Sequence, residues 1–472
     1  MPDRGVPGGA RNDRPHRPAS GDARRPREPP GSHVLSEGGD ALAALFDPRP
    51  ATTIRWGLDR IEALLAELGR PERSFDALHI AGTNGKGSTA CFAASMLEDG
   101  GMCTGLYTSP HLEDVRERFL IDGARVEESA LQSAAARVIG CDAAAACTYF
   151  ELATALAFTC FAECGVEVAV VETGLGGRLD ATNVLRPGGT AITPISLDHT
   201  EWLGGSPEAI AREKGGIFKP GAPACLGRID PGPRAALEQI ARGVGSPVAR
   251  LGRDAEVSEV AVRTDPVGTR FRYVSGSRPA GVRLATGLPG RHQADNAALA
   301  LLLLDSSGYP PEESSARRGV ARARLAGRFE VWPPGAGRPG CVFDIAHNPA
   351  AMGVLCETLA ELSPPRPLVA VAGMLADKDW KGTLARLALD SDTMILTRPA
   401  VPAERRWDPS RAREWLSRER DVESIVCRNV AEAVSRGLTL ADAGTLLVTG
   451  SATTVGEART LPEFARVRTG DG

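Results

Sequence analysis

The stretch HIAGTNGKGSTACFAASML, His79 to Leu97, gathers three glycines around one lysine. Gly82, Gly85 and Gly87 are free to take positive φ angles and to let the backbone approach an anion closely, and a helix starting behind them would aim its first amides at that anion. Lys86 would then lie over the β and γ phosphates of a nucleotide. The spacing departs from the usual G-x-x-x-x-G-K-[ST] loop twice: Ile80 stands at the first glycine, and Gly87 replaces the hydroxyl residue that binds the metal. A plain tight turn is the bland alternative. Gly-Lys-Gly-Ser between an apolar run and a helical pattern favours nucleotide binding.

Nucleotide chemistry also needs a hard cation, which takes oxygen ligands and tolerates imidazole. Three segments offer such groups after apolar runs: Ser109 in LYTSPHL, Glu172 in VVETGLGGRLDATN, and Asp198 with His199 in SLDHTEWLG. Separately they read as a turn residue, a solvated carboxylate and a structural histidine. Together they follow the rule that ligands of open α/β sheets gather at the carboxyl ends of strands.

An alternating framework is required to bring these groups together. IRWGLDRIEALLAELG spaces Leu58, Ile61, Leu64, Leu65 and Leu68 three and four apart, which predicts an amphipathic helix. ALHIAG predicts a strand, and STACFAASMLEDGG a helix ending at Gly100. VEVAVVETG and GTAITPISLDH predict two more strands. Between about residues 230 and 283, VAVRTDPVGTRFRYVS alternates as antiparallel strands do, and HQADNAALALLLLDSSG returns to helix. After the Pro- and Gly-rich RLAGRFEVWPPGAGRPG, a second series follows: CVFDIAH, PLVAVAGML, TMILTRP, ESIVC and TLLVTGS, separated by helical patterns. The fold class expected is α/β: a phosphate-loop-type, doubly wound parallel-sheet domain at 41–326, a linker at 327–340 and a smaller Rossmann-like domain at 341–472, preceded by a tail at 1–40.

Size and composition agree with two domains, since 472 residues exceed the roughly 250–300 that one core supports. With 55 basic and 59 acidic residues and 5% aromatics, the chain offers little for a nucleic-acid surface and points to small-molecule partners. Ten cysteines without a C-x-x-C pair fit reduced thiols in a cytoplasmic protein better than a disulfide framework or zinc site. No stretch has the length and apolar purity of a membrane span. The Arg-, Pro- and Gly-rich tail lacks an apolar signal core, so disorder is expected and secretion is not.

Taken in order, AGTNGKGST, YTSPHL, TYFE, GLGGRLDATN, SLDHTEWLG, EKGGIFKPG, HQADNAALAL, LAGRFEVW, FDIAHNP, GMLADKDW and VTGSATTVGEA carry a resemblance. From Gly57 to about Gly456 the chain resembles the bacterial bifunctional folylpolyglutamate synthase and dihydrofolate synthase family, a branch of the Mur ligase superfamily. There the phosphate loop has the shorter G-T-x-G-K form and the T-S-P-H serine supplies a metal ligand, so neither departure at Ile80 and Gly87 is a defect. The resemblance implies an ATP-dependent ligase that joins L-glutamate to dihydropteroate and to reduced folates through an acyl phosphate. It implies two Mg²⁺ ions, with K⁺ as a further candidate, and a cytoplasmic monomer acting without nucleic acid or membrane.

Residue by residue, the resemblance implies Thr83, Asn84, Gly85, Lys86, Asn296, Arg328 and Asp344 for ATP, and Ser109, Glu172 and His199 for the metal. It implies Lys86, Lys214, His347 and Ser451 in catalysis, with Lys214 carbamylated. Thr148, Tyr149, Phe150 and Glu151 with Leu179, Asp180 and Ala181 would line the pterin pocket, and Pro48 to Ala51 a lid. The bland counterparts are a surface lysine at 214, a core asparagine at 296, a surface charge at Arg328 and core aromatics at Tyr149 and Phe150. Gly215 replaces a usual alanine and is expected to loosen its helix. EDVRERFLIDG departs from the usual form and leaves Arg116 and Arg118 unassigned. The rivals are another Mur-type amino-acid ligase, a non-catalytic nucleotide-binding relative, and a nucleic-acid-stimulated ATPase using the tail. TSPHL and TYFE argue against the first, the intact lysine, metal set and linker arginine against the second, and the near-neutral remainder against the third.

Overall fold

Val, Ala and Ile fill the strand cores of the computed structural model, as strands covered on both faces by helices require. The structure describes residues 40–46, 55–335, 338–420 and 422–464; the tail expected at 1–40, Asp40 excepted, and the lid expected at Pro48 to Ala51 lie outside them. Eight strands form the first sheet: β1 (Asp76–Ala81), β2 (Thr104–Tyr107), β3 (Phe119–Ile121), β4 (Ala124–Arg125), β5 (Val168–Glu172), β6 (Gly189–Ile192), β7 (Ala224–Leu226) and β8 (Val248–Arg250), in the order β4-β3-β2-β5-β1-β6-β7-β8. All neighbours from β2 to β8 run parallel, while β3 and β4 add an antiparallel edge. The central strand β1 lies between β5 and β6, so the loops after these three strands open into one crevice.

β9 (Ala255–Thr264), β10 (Val267–Ser275) and β11 (Arg278–Thr286) form a separate antiparallel sheet. The alternating stretch expected from about residue 230 therefore begins later. PGPRAALEQIARGV before it is a helix, Pro231–Val244, with proline in its first turn and Leu237 and Ala241 buried.

The second series forms a six-stranded sheet from β12 (Glu330–Trp332), β13 (Gly340–Phe343), β14 (Leu368–Ala372), β15 (Thr393–Leu396), β16 (Glu423–Val426) and β17 (Thr445–Thr449). Its order is β12-β13-β17-β14-β15-β16, parallel except for β12. The stretch 327–340, expected to be a linker, thus carries a strand: Glu330, Val331 and Trp332 pair with Phe343, Val342 and Cys341. Trp332 is held there by Phe343 and Phe464 at 4.6 and 5.3 Å between ring centres. Among the described residues, no helix is long and apolar enough to cross a membrane.

Candidate active site

Glycine is required where the phosphate loop turns. Gly82 has φ +148°, and a Cβ on it would come within 1.7 Å of Thr193 Oγ1; Gly85 has φ +90°, and its Cβ would come within 2.5 Å of Asn296 Oδ1. The helix Lys86–Asp99 starts directly behind Gly85 without a side-chain cap, which leaves its first amides available to an anion. At Gly87, where common phosphate loops carry Ser or Thr, a Cβ would meet Glu172 Oε2 at 3.3 Å. The space beside Gly87 is thus taken by a carboxylate arriving from β5. Lys86 Nζ donates to the carbonyl of Thr83 at 3.3 Å and lies 3.9 Å from Glu172 Oε1. Thr83 itself is tied down, its hydroxyl donating to the Ser196 carbonyl at 3.1 Å and accepting from the Ser196 amide at 3.2 Å.

Glu172 is 3% exposed, and burial pushes its carboxyl above the usual range, with Lys86 pulling the other way. Its Oε2 accepts the amide of Ser109 at 3.0 Å, so two of the three expected metal ligands already adjoin. The third, His199, starts a short helix at φ +50°, and its Nε2 accepts from Lys378 Nζ at 3.1 Å. Burial and the Lys378 charge lower the imidazole to about 4, so it is neutral and able to ligate at neutral pH. Hydroxyl, carboxylate and neutral imidazole are donor types suited to Mg²⁺, and the buried Glu172 carboxylate has Lys86 at 3.9 Å with the Arg328 and Arg118 charges also acting on it. Among the described residues no three His, Cys, Asp or Glu side chains cluster as a metal site by themselves.

Lys214 ends the helix Pro207–Gly215 and is 4% exposed. Its Nζ donates to the Gly82 carbonyl at 2.6 Å, and burial followed by the nearby Lys86 charge lowers it to about 7. Gly215 has a packing reason: a Cβ there would stand 2.9 Å from Ile240 and 3.1 Å from Leu237 of the helix Pro231–Val244. Gly177 and Gly216 likewise permit the GLGGRLD loop to lie on this helix end, a Cβ on Gly177 falling 2.8 Å from the Lys214 carbonyl.

The strand ends of the second sheet form the opposite wall. Asp344 follows β13; its oxygens accept the amides of Phe329 and Ala346 at 2.8 Å each, while burial, opposed by Arg328, raises its carboxyl. Arg328 lies close to Gly87 on the other side. His347 Nε2 meets Asp198 Oδ2 at 3.2 Å, and Ser451, 2% exposed, caps the helix Ala452–Arg459 by accepting the Thr454 amide at 3.1 Å. Two residues outside the sequence-derived set, Lys378 and Asn348, complete the wall. Lys378, 9% exposed, donates to Asp198 Oδ1 at 2.7 Å; Asn348 donates to Asp198 at 3.1 Å; and Asn348 exchanges hydrogen bonds with Asn84 at 3.1 and 3.2 Å. Burial opposes ionisation of Asp198, but the His347 hydrogen bond and the Lys378 charge hold it well below the usual carboxylate range. A lysine between two aspartates in ADKDW was the available sequence signal for Lys378.

One cavity of about 1010 Å³ between the two sheets is lined by every described sequence-derived site residue except Tyr149. Tyr149 turns instead onto Phe46, 4.4 Å between ring centres, with the Arg118 guanidinium 5.7 Å from its ring centre. TYFE also builds the start of its helix: Thr148 accepts the Glu151 amide and Glu151 accepts the Thr148 amide, at 3.3 and 2.7 Å, a reciprocal cap. Glu151 further pairs with Arg60 at 2.9 Å. Asp180 accepts from the amides of Thr182 and Leu175 at 3.0 and 2.8 Å and so shapes its own loop. Asn296 is held by Gln293 at 3.1 Å.

Residues 80–304 match the Mur ligase middle domain, and residues 327–452 match the Mur ligase glutamate ligase domain. The chain is 35% identical over 458 residues to a dihydrofolate synthase/folylpolyglutamate synthase of Mycobacterium tuberculosis, covering 88% of this chain and 92% of that one. It is 36% identical over 438 residues to a probable bifunctional folylpolyglutamate synthase/dihydropteroate synthase of Halobacterium salinarum; 88% of this chain matches, but it spans only 50% of that relative's length. Escherichia coli FolC in complex with DHPP and ADP superposes with a TM-score of 0.79 at 32% identity, covering 91% of this chain and 99% of that one.

Proposed function

The chain belongs to the dihydrofolate synthase/folylpolyglutamate synthase family of Mur ligases, and from that membership we propose that it uses ATP to join L-glutamate to dihydropteroate and to tetrahydrofolates. The observation that carries this reading is the convergence of the phosphate loop, the Ser109–Glu172 pair, Lys214 and the Arg328–Asp344 pair on one cavity between two sheets. In this reading the acceptor carboxylate attacks the γ-phosphorus, ADP leaves, and the glutamate amine then displaces phosphate from the acyl phosphate. Lys86 and the free amides of the helix Lys86–Asp99 hold the transferring phosphoryl group, and Arg328 adds charge from the second wall. Mg²⁺, held by Ser109, Glu172 and His199, would supply neutralisation of phosphate charge.

Lys214 takes the carbamate role in this reading. An amine lowered to about 7 is substantially neutral at physiological pH, so its lone pair can attack CO₂. The N–C bond forms, one amine proton leaves to solvent, and the buried neutral amine becomes an anionic oxygen ligand. Asp344 and Asn296 hold the nucleotide, His347 and Ser451 face the acyl transfer, and Phe150 with Leu179 to Ala181 borders the pterin. Water must be kept from an acyl phosphate, and enclosure by two walls provides that exclusion.

The test is phosphate release by the purified protein with ATP, Mg²⁺ and L-glutamate, comparing dihydropteroate, tetrahydrofolate and no acceptor, with products weighed. Release driven by either acceptor, with a product one glutamyl unit heavier, is expected. A folded, ATP-binding protein that neither acceptor stimulates would sink the folate assignment.

A further inference from the structure

The helix Ala452–Arg459 runs from Ser451 at the cavity to the loop that follows Ser109. The two meet at backbone distance. A Cβ on Gly456 would stand 2.1 Å from the carbonyl oxygen of Leu112 and 2.9 Å from its carbon, so only glycine lets the helix seat on this loop. The φ of Gly456 is not in the left-handed region, so the requirement is closeness and not backbone conformation.

One turn further, Arg459 Nε donates to Glu113 Oε1 at 2.7 Å, its Nη1 pairs with Glu330, and its guanidinium lies 5.1 Å from the Trp332 ring centre. From its own side the loop is gripped by Glu117, which accepts the amides of Leu112, Glu113 and Asp114 at 2.8, 3.2 and 3.1 Å. The Leu112 side chain packs with the core under the second sheet, beside Val455 and Ile345. Loop 109–114 is therefore clamped between its own domain and the second one at residues 112–113, while its other end meets Glu172 through the Ser109 amide.

We propose that Gly456 and Arg459 are positioning residues: by seating the helix Ala452–Arg459 on Leu112 and Glu113, they transmit the placement of the second domain to Ser109 and Glu172. The proposal rests on the reading that Ser109 and Glu172 bind the cation of the metal–nucleotide complex. It assigns a task to the VGEA end of the VTGSATTVGEA motif, which touches neither phosphate nor pterin in that reading. A methyl group at position 456 must push the loop or the helix by about 1 Å, a displacement that can lower turnover by about 100-fold when it reaches reacting groups.

The experiment uses the full chain with Gly456→Ala, Arg459→Gln, Arg459→Lys, Glu113→Gln and the Glu113→Gln/Arg459→Gln pair. Mn²⁺ affinity is read by electron paramagnetic resonance with a non-hydrolysable ATP analogue, alongside hydrogen exchange of peptide 109–117, thermal unfolding, and kcat and KM. Expected are about tenfold weaker Mn²⁺ binding and faster exchange at 109–117 in Gly456→Ala, with kcat falling and the acceptor KM little changed. Arg459→Lys should recover part of the Arg459→Gln loss, and the double variant should lose no more than the worse single one. Unchanged Mn²⁺ affinity and exchange in Gly456→Ala would overturn the proposal. So would strictly additive losses at Glu113 and Arg459, a pair that remains informative should Gly456→Ala not fold. If Ser109→Ala leaves Mn²⁺ affinity intact, the premise falls and the proposal with it. If no folate acceptor is used yet Gly456→Ala still weakens Mn²⁺ binding, the positioning role stands and the substrate reading alone fails.

Discussion

Two lysines line the cavity from opposite walls, both buried and differently treated. Lys214, on the first-sheet wall, donates to the Gly82 carbonyl at 2.6 Å; Lys378, on the second-sheet wall, has the Asp198 carboxylate at 2.7 Å. A carbonyl dipole compensates little of the desolvation of an ammonium, whereas a hydrogen-bonded carboxylate gives it an opposite charge whose removal would strand a buried ion. The first wall therefore holds an amine that gives up its proton readily, and the second holds an ion pair. Side-chain identity decides little here; the partner decides the chemistry.

The widest separation between the two should be in activity. Lys214→Ala is expected to reduce ligation by about 1000-fold, the loss of a charge aimed at the transferring group, and added acetate should restore part of it by standing in for the carbamate. Steady-state rates with and without acetate measure this, and undiminished turnover would remove Lys214 from the mechanism. In stability the order reverses. Lys378→Met leaves Asp198 buried with only the His347 imidazole, the Asn348 amide and the His199 backbone amide, and should cost about 3 kcal/mol in denaturant unfolding. Lys214→Met should be close to neutral, because losing a desolvated amine offsets the unpaired Gly82 carbonyl. Equal losses in the two variants would erase the contrast.

A smaller effect follows from the pair itself. Adding Asp198→Asn to Lys378→Met removes the stranded charge and should recover about 1–2 kcal/mol of the loss. No recovery would mean that Lys378 contributes through packing of its stem and not through Asp198.

The first-sheet wall was far more legible in the sequence than the second. Its glycines, its lysine and the strand before them are consecutive, so backbone need and chemistry coincide within Ile80 to Ser88. The Asp198–Lys378 pair joins residues 180 positions apart, and no local periodicity records such a contact. β12 was hidden for a related reason: a three-residue strand among prolines and glycines exists because Trp332 packs on Phe343 and Phe464, which lie elsewhere in the chain. TYFE was legible as a motif but not as a helix cap, since the same Thr and Glu serve both readings until their hydrogen bonds are seen. Gly215 looked like a weak point in a helix and is a point of helix–helix contact.

The finest test of the lysine contrast is the pH dependence of stability. Lys214 is lowered to about 7 in the folded protein, against 10.5 for an unperturbed lysine. Between those values the unfolded chain binds the proton and the folded chain does not, so stability from this group rises with pH through the window, by at most about 1.4 kcal/mol per pH unit. Below pH 7 both states are protonated and the slope vanishes. Comparing wild type with Lys214→Met in CO₂-free buffer from pH 6 to 9 isolates the term: the wild-type curve should climb relative to the variant above pH 7. Readmitting bicarbonate should raise the wild type further and leave the variant unmoved, because carbamate formation consumes the neutral amine of the folded state. Parallel curves would show that the Gly82 carbonyl is enough to hold the Lys214 ammonium, and the contrast between the two walls would fail.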